Sequence, residues 1–497
     1  MTSARVDLRS LRLMLRVPAA MGVGTAALAW LALDEGHLAP AWLALAAAAA
    51  GLDLALGPLS RRSRNRHGTG EILATVALAW ALIGALGALP FVVAAALEGG
   101  AGSAMRAFDD PLSALFESVS GFTSTGLTMV SRPDGLPATV QLWRSLTEWV
   151  GGAGLALAML TLINPDRDGG DEMFDSELSV AHGGSVKRVA RRVWILYVAL
   201  TAFGVGLFAA CGMAWWEALN HGMTAISTGG FSVTADSFGA YGAPAQLAAM
   251  LVMLLGAVSF GVVLRAIERR DPLELAGHGP TRVLLGGIAL AVGLLWLSRL
   301  EFETDAGALV LPFQAISAFA TAGFSTVSLG DWHSAPLAVL IACMAIGGTS
   351  GATTGGFKTD RLLLLGRGVV WRLRRLFRTD GEGREHDVDG ERLGTKDARL
   401  RVEGAATLVA LWVATWLLGC LALAPVAGED RAFTQVAFEV MSAQAGVGLS
   451  VGITDAELAP GGKWTLIGLM WAGRLELIAA FALLWLPFAR RALRAAR

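Results

Sequence analysis

The sequence predicts an all-α polytopic membrane protein: four span–pore-helix–span repeats around one central pore, plus two extra N-terminal transmembrane helices. Three observations carry this prediction. The 497 residues are 54% hydrophobic and only 16% charged, with a mean hydropathy of +0.55, and apolar runs near the ~20 residues needed to cross a bilayer recur throughout. One short polar, glycine-containing stretch occurs four times between such runs. Cationic loops alternate with cation-poor ones along the chain.

The N-terminal extension, residues 1–66, holds apolar segments 17–33 and 39–57 separated by Asp34-Glu35-Gly36-His37. Its closing loop, Arg61-Arg62-Ser63-Arg64-Asn65-Arg66, is wedged between spans. The positive-inside rule therefore explains it better than a nucleic-acid patch, and no nucleic-acid partner is expected. The basic start, Met1 to Arg16, leads into an apolar run with no clear small-residue cleavage site, so no cleavable signal is expected.

The first repeat, 67–186, reads as span 71–97, short helix Asp110 to Phe122, and return span 141–163. The second, 187–275, uses 190–213, Trp216 to Ile226, and 245–267. The third, 276–378, uses 282–300, Leu311 to Phe319, and a broken return over 336–377. Residues 379–401 are polar and glycine-rich and read as a flexible cytoplasmic linker. The fourth repeat, 402–497, uses 403–426, Ala432 to Gln444, and 463–489.

The repeated stretches are Phe116–Thr128, His221–Ser232, Phe313–Ser325 and Phe438–Ser450, aligned on Gly126, Gly230, Gly323 and Gly448. Their spacing of roughly 100 residues is that of a whole structural module. Each has a helix-compatible run, then small or hydroxyl residues, then glycine. The candidate ion-binding residues are Thr123, Ser124, Thr125 and Gly126; Ser227, Thr228, Gly229 and Gly230; Ala320, Thr321, Ala322 and Gly323; and Ala445, Gly446, Val447 and Gly448. Non-helical backbone at membrane depth survives only inside protein or along a watery cavity. Four such segments on one axis would line it with carbonyls, which replace an ion's hydration shell. The preceding helices would aim their negative C-terminal ends at the same axis, favouring a cation.

Ten spans place both termini on one face. Arg5, Arg9, Arg12 and Arg16, the 61–66 loop, Lys187, Arg188, Arg191, Arg192, Arg265, Arg269, Arg270, the 361–401 segment and the Arg490–Arg497 tail share that face. It is read as cytoplasmic.

Other stretches carry chemistry of their own. Gly347, Gly348, Thr349, Ser350, Gly351, Ala352, Thr353, Thr354, Gly355 and Gly356 interrupt the third return span and are read as a movable gate, against the plain alternative of a kink. A phosphate loop is excluded, because Gly356 is followed by Phe357 and not by lysine. Arg474 lies mid-span, where an arginine faces a cavity or a partner. It reads as a positive barrier in the pore or as a brace to Glu439 or Glu476. Glu117, His221, Gln314 and Glu439 share one position on the four short helices and are expected to hydrogen-bond the backbone that supports the glycine stretches, against the alternative of a ring around the outer mouth. Arg372, Arg374, Arg375 and Arg378 suit membrane lipid headgroups or a docked cytosolic partner. Cys211, Cys343 and Cys420 lie far apart in apolar runs and read as small core residues.

These residues resemble the Trk/Ktr/HKT superfamily of potassium transporters, specifically its TrkH-type membrane subunit. Besides the four glycine stretches, the resemblance rests on Trp143–Gly152, Gly347–Lys358 and Met470–Glu476, and it covers nearly the whole chain. It implies potassium uptake across a plasma membrane, the inner membrane of a bacterium, with K+ as transported ion and no bound cofactor. It also implies a homodimer and a cytosolic RCK-type nucleotide-binding regulatory subunit, TrkA-like. Three positions depart from the family pattern: Gly446, where a hydroxyl residue is common, Gln444 and Glu148. The alternative within this architecture is a sodium-permeable or sodium/proton-coupled transporter. An embedded enzyme is disfavoured, since the seven histidines show no HExxH-like spacing and no nucleophile–base pair stands out.

Overall fold

The computed structural model describes residues 6–60, 68–98, 103–162, 186–298, 308–377, 386–388, 391–393, 395–428 and 430–495. The 61–66 loop, Arg378 and residues 379–385, 389–390 and 394 of the expected linker lie outside them. Two helices, Leu8–Leu31 and Ala39–Ser60, form the N-terminal pair. Asp7 caps the first, accepting from the Arg9 and Ser10 amides. The pair is tight because Gly22 lies where a Cβ would come within 2.7 Å of the Trp42 carbonyl oxygen, the small-residue contact that lets membrane helices approach. Arg12 pairs with Asp53 at 2.6 Å across the same two helices.

Four span–short-helix–span units follow. The short helices are Pro111–Phe122, Trp215–Ile226, Val310–Phe319 and Phe433–Ala445, within a residue of the expected limits. The leading spans are Thr69–Gly87 with Leu89–Glu98, Val186–Ala210, Gly279–Ser298 and Thr395–Leu423. Among the described residues six helical segments are long and apolar enough to cross a membrane, or eight counting two bent pairs. The other two expected spans are Ala138–Leu162 and the broken return Ser334–Ile346 with Thr359–Leu376.

Three expectations need correction. The return spans 245–267 and 463–489 are not continuous. Ala243–Ala257 meets Phe260–Arg269 at 100°, and Pro460–Arg474 meets Ile478–Phe488 at 101°. At the first bend the helix end is held by the glycine-rich 347–356 loop: Thr349 N donates to Ala257 O at 3.0 Å, and Gly351 O accepts from Phe260 N at 3.1 Å. The loop thus satisfies backbone groups the break sets free. At the second bend Glu476 and Leu477 both take positive φ, 53° and 63°. The expected linker, 379–401, is structured in part: His386–Val388 pairs antiparallel with Glu391–Leu393, and a helix starts at Thr395.

The apolar core falls into two main regions. The larger joins repeats two, three and four to the inner face of the first and includes Phe238, Phe313, Phe438 and Met470. The other joins the N-terminal pair to the first repeat and to the end of the fourth through Trp42, Trp80, Leu475 and Ala479. The last helix therefore packs on the first repeat, and the four units close into a ring.

Glu35, between the first two helices, ties the extension to that ring. Its carboxylate accepts from the Ala138 and Thr139 amides at 2.8 and 2.9 Å and from the Thr139 hydroxyl at 2.6 Å. This caps the start of Ala138–Leu162, whose own sequence offers no capping side chain. Glu35→Ala should cost about 1–2 kcal/mol of stability. Thermal unfolding of the detergent-purified protein is expected to show a lower melting temperature, with a smaller drop for Glu35→Gln, which keeps one acceptor oxygen.

Candidate ion pathway

Each short helix ends the same way. The amides of Thr125, Gly229, Ala322 and Val447 donate five residues back, to the carbonyls of Ser120, Thr224, Ser317 and Ser442, at 2.8–2.9 Å. The residue before each, Ser124, Thr228, Thr321 and Gly446, takes a left-handed φ of 51°, 52°, 47° and 63°. This is the glycine-type helix termination, in which one left-handed residue turns the chain out of the helix while capping its last carbonyls. Glycine adopts that conformation without strain, so Gly446, the departure noted in the fourth stretch, is conformationally the easiest of the four.

Two residues further on, Gly126, Gly230, Gly323 and Gly448 take φ values of 83°, 94°, 75° and 95°. A Cβ on Gly126 would overlap the Gly229 carbonyl oxygen, one on Gly230 that of Ala322, one on Gly323 that of Val447, and one on Gly448 that of Thr125. Each glycine therefore abuts the residue before the next glycine, in the order one, two, three, four and back to one. The four loops form a closed ring with backbone carbonyls at its seams.

Behind the ring, the four matched helix positions act mainly through hydroxyl side chains and not directly on backbone as expected; only Glu117 and Glu439 also accept amides beyond the glycine, from Met129 and from Val451 and Thr454. Each bonds the hydroxyl that lies two residues after the glycine: Glu117 to Thr128 at 2.8 Å, His221 to Ser232 at 2.9 Å, Gln314 to Ser325 at 2.7 Å, and Glu439 to Ser450 at 2.7 Å. Each hydroxyl oxygen in turn accepts the amide two residues on, from Val130, Thr234, Val327 and Gly452. These four hydroxyl residues were not singled out from sequence. Their recurrence two places after each aligned glycine was the available signal.

The return helices bring glycine to the same level. Cβ atoms on Gly151, Gly256 and Gly473 would meet the carbonyls of Phe122, Ile226 and Gln444 at the ends of the short helices. Gln444 Nε2 reaches Trp412 O at 2.8 Å.

The 347–356 loop lies against this ring. Thr353 Oγ1 donates to Ile226 O and shares the Gly256 carbonyl, both at 3.0 Å, and the Gly355 amide donates to Thr321 Oγ1 at 2.9 Å. A Cβ on Gly355 would overlap the Ala445 carbonyl. The loop therefore touches the second, third and fourth glycine stretches at once. Lys358 donates to the Thr354 carbonyl at its far end.

Arg474 pairs with neither of the carboxylates considered for it. Its Nη1 donates to Thr353 O at 2.8 Å, and its Nη2 to Gly151 O and Gly152 O at 2.8 and 2.7 Å. The brace is thus to backbone, linking the loop to the first return helix. Glu476 instead meets Arg361, and Glu439 accepts the Val451 and Thr454 amides. Two further residues escaped the sequence reading. Arg144 is buried against Glu117 at 2.7 Å and donates to Ser232 O at 2.9 Å. Lys463 reaches Asp110 at 2.9 Å and Ser113 at 2.8 Å, closing the seam between repeats four and one.

Four half-spanning helices that deliver glycine loops to one ring, inside a bundle of long apolar helices, define a multi-pass membrane transport protein and not an enzyme. The TrkH family model, described as a cation transport protein, matches residues 91–276 and 302–487, so the chain belongs to the TrkH family. It is 29% identical over 452 residues to the Trk system potassium uptake protein TrkH of Salmonella typhimurium, covering 86% of this chain and 89% of that one. It is 29% identical over 318 residues to the protein of the same name from Halomonas elongata, covering 62% of this chain and 63% of that one. The fold matches the crystal structure of the potassium transporter TrkH from Vibrio parahaemolyticus with a TM-score of 0.79 at 23% identity, over 96% of this chain and 97% of that one.

The Glu117–Arg144 pair generates a stability prediction. Its side chains are 0% and 2% exposed, and removing one partner of a buried pair costs about 3–5 kcal/mol. Glu117→Gln should sharply lower the melting temperature and yield, and adding Arg144→Met should recover part of the loss. An unchanged melting temperature for the single variant contradicts the assignment.

Proposed function

We propose that this chain takes up potassium across the plasma membrane through the ring of four glycine loops, which acts as its selectivity filter. The observation that carries this is the closed order of the ring, each glycine against the carbonyl before the next. Carbonyls so placed replace the hydration shell of an ion losing its water, and the four short helices direct their negative ends toward it. The named relatives, potassium uptake proteins of Trk systems, supply the ion. The alternation of cationic loops supports cytoplasmic termini, in a bacterial inner membrane. In this reading the chain works as a homodimer with a cytosolic nucleotide-binding regulatory subunit, as the resemblance read from its sequence implies.

The 347–356 loop is the gate in this reading, with Arg474 both its brace and its charge. The guanidinium holds the Thr353 carbonyl to the first return helix. One positive charge several ångströms from the ion path is worth about 1–4 kcal/mol at effective dielectrics from that of water down to ~20.

Two expected outcomes test the proposal in a potassium-auxotrophic host and in proteoliposomes. Gly126→Ser places a Cβ on a left-handed residue and into the Gly229 carbonyl. A strain of about 1–2 kcal/mol acting on ion preference corresponds to roughly tenfold, so the potassium-to-sodium permeability ratio should fall by about that much. An unchanged ratio removes the filter assignment, and a wild-type ratio near one favours the sodium-permeable alternative.

Arg474→Ala should raise basal rubidium uptake and reduce its dependence on the regulatory subunit. Arg474→Lys, which keeps the charge but loses the planar fork, should fall between. A stable Ala variant with unchanged uptake contradicts the gating role.

A further inference from the structure

The ring is fourfold in backbone but not in what stands behind it. Glu148, on the first return helix, is 0% exposed. Both of its carboxylate oxygens lie 3.1 Å from the Phe231 amide, the first donor beyond Gly230. Its own backbone carbonyl accepts from Ser124 Oγ at 2.8 Å. One residue therefore holds the first glycine stretch with its main chain and the second with its side chain. Its neighbour one turn earlier, Arg144, completes the grip, with its guanidinium carbon 4.1 Å from the centroid of the Phe231 ring.

The second stretch is shaped for this carboxylate. A Cβ on Gly229 would overlap the Glu148 carboxylate, and Gly229 does not take a positive φ that would demand glycine for backbone reasons. The matching positions in the other loops are Thr125, Ala322 and Val447, all with side chains. The glycine that is exceptional within the repeat thus faces the carboxylate that is exceptional within the repeat. Three residues before the glycines that meet the short helices in the second and fourth return helices stand Met253 and Met470, both buried and apolar.

A fully buried carboxyl group is retained only where its hydrogen bonds are made, and here its oxygens are the acceptors available to the Phe231 amide. We propose that Glu148, seated against Gly229, is a specificity-determining positioning residue: it fixes the Phe231 amide and the seam between the first two loops, and thereby the width of the ring on that side. This rests on the reading of the ring as the ion filter.

The test compares Glu148→Met, Glu148→Gln, Gly229→Ala and Gly126→Ser in proteoliposomes, reading the potassium-to-sodium permeability ratio and the melting temperature. Glu148→Met copies the methionine of the second and fourth repeats, and the ratio is expected to fall by roughly tenfold. Glu148→Gln keeps an acceptor oxygen and should restore most of it. Gly229→Ala displaces the carboxylate without removing it and should lower the ratio in the same direction. It decides alone if Glu148→Met does not fold. A Met variant that melts lower but keeps the wild-type ratio overturns the proposal, as does a Gln variant as damaged as the Met variant. If Gly126→Ser lowers the ratio while Gly229→Ala and both Glu148 variants leave it unchanged, this inference fails and the filter reading stands. If Gly126→Ser also leaves it unchanged, the filter reading itself fails.

Discussion

The structure depends on one constraint: four stretches of non-helical backbone lie inside a bundle of membrane helices, and each amide and carbonyl there must find a partner. An unbonded amide moved out of water costs on the order of 2–7 kcal/mol, so four open loops would outweigh the stability of an ordinary domain. The solution is repetitive because the problem is. Each short helix ends on a left-handed residue that returns an amide to the helix. Each then has a polar side chain, nine residues before the glycine, that holds the hydroxyl two residues after it. The carbonyls left over are those at the seams between neighbouring loops.

The same four positions hold chemically different residues, and the differences follow the seams. Between the first and second units the tie is ionic and buried, with Glu117, Arg144 and Glu148 around Ser232 and Phe231. Between the second and third it is a Phe238–Phe324 contact, with centroids 4.7 Å apart, beside the bond from Phe238 N to Ser325 O. Between the third and fourth it is neutral and polar, Gln435 to Gly330 O and Thr434 to Ser334. Between the fourth and first it is the Lys463–Asp110 pair. A single chain can vary each seam independently, which a ring of four identical subunits cannot.

This division explains what could be read from the sequence. The four glycines, the short helices and the polar position before each glycine recur at a fixed register, so they were visible without coordinates. The broken third return was visible because a run of glycine, serine and threonine cannot remain helical. The 100° bend at Val258-Ser259 was not, because Gly256, Ser259 and Gly261 are scattered within a long apolar run and the break is stabilised by another part of the chain, the loop around Thr349. The Arg474 partners were missed for a related reason. A charged residue suggests a charged partner, but this one bonds only carbonyls, which every residue carries. Glu35 capping a helix more than a hundred residues away has no local signature either.

The loop's own bonds set a scale for the proposed gating. Thr349 holds Ala257, Thr353 holds Ile226 and Gly256, Gly355 holds Thr321, Gly351 accepts from Phe260, and Arg474 holds Thr353. At about 1 kcal/mol net for each such bond, the seated position is favoured by several kcal/mol before anything binds. Turning a 1:99 equilibrium into 99:1 takes about 5.5 kcal/mol of differential binding, roughly 10⁴-fold in affinity. A partner must therefore hold the open form more tightly than the closed one by at least the energy of those seating bonds merely to bring the two forms to parity. Such a partner need not touch the loop: the loop's bonds run to the break at 257–260 and to the end of the helix carrying Arg474, and tilting either of the elements beyond those bends, Phe260–Arg269 or Ile478–Phe488, changes the geometry of the bonds that seat it.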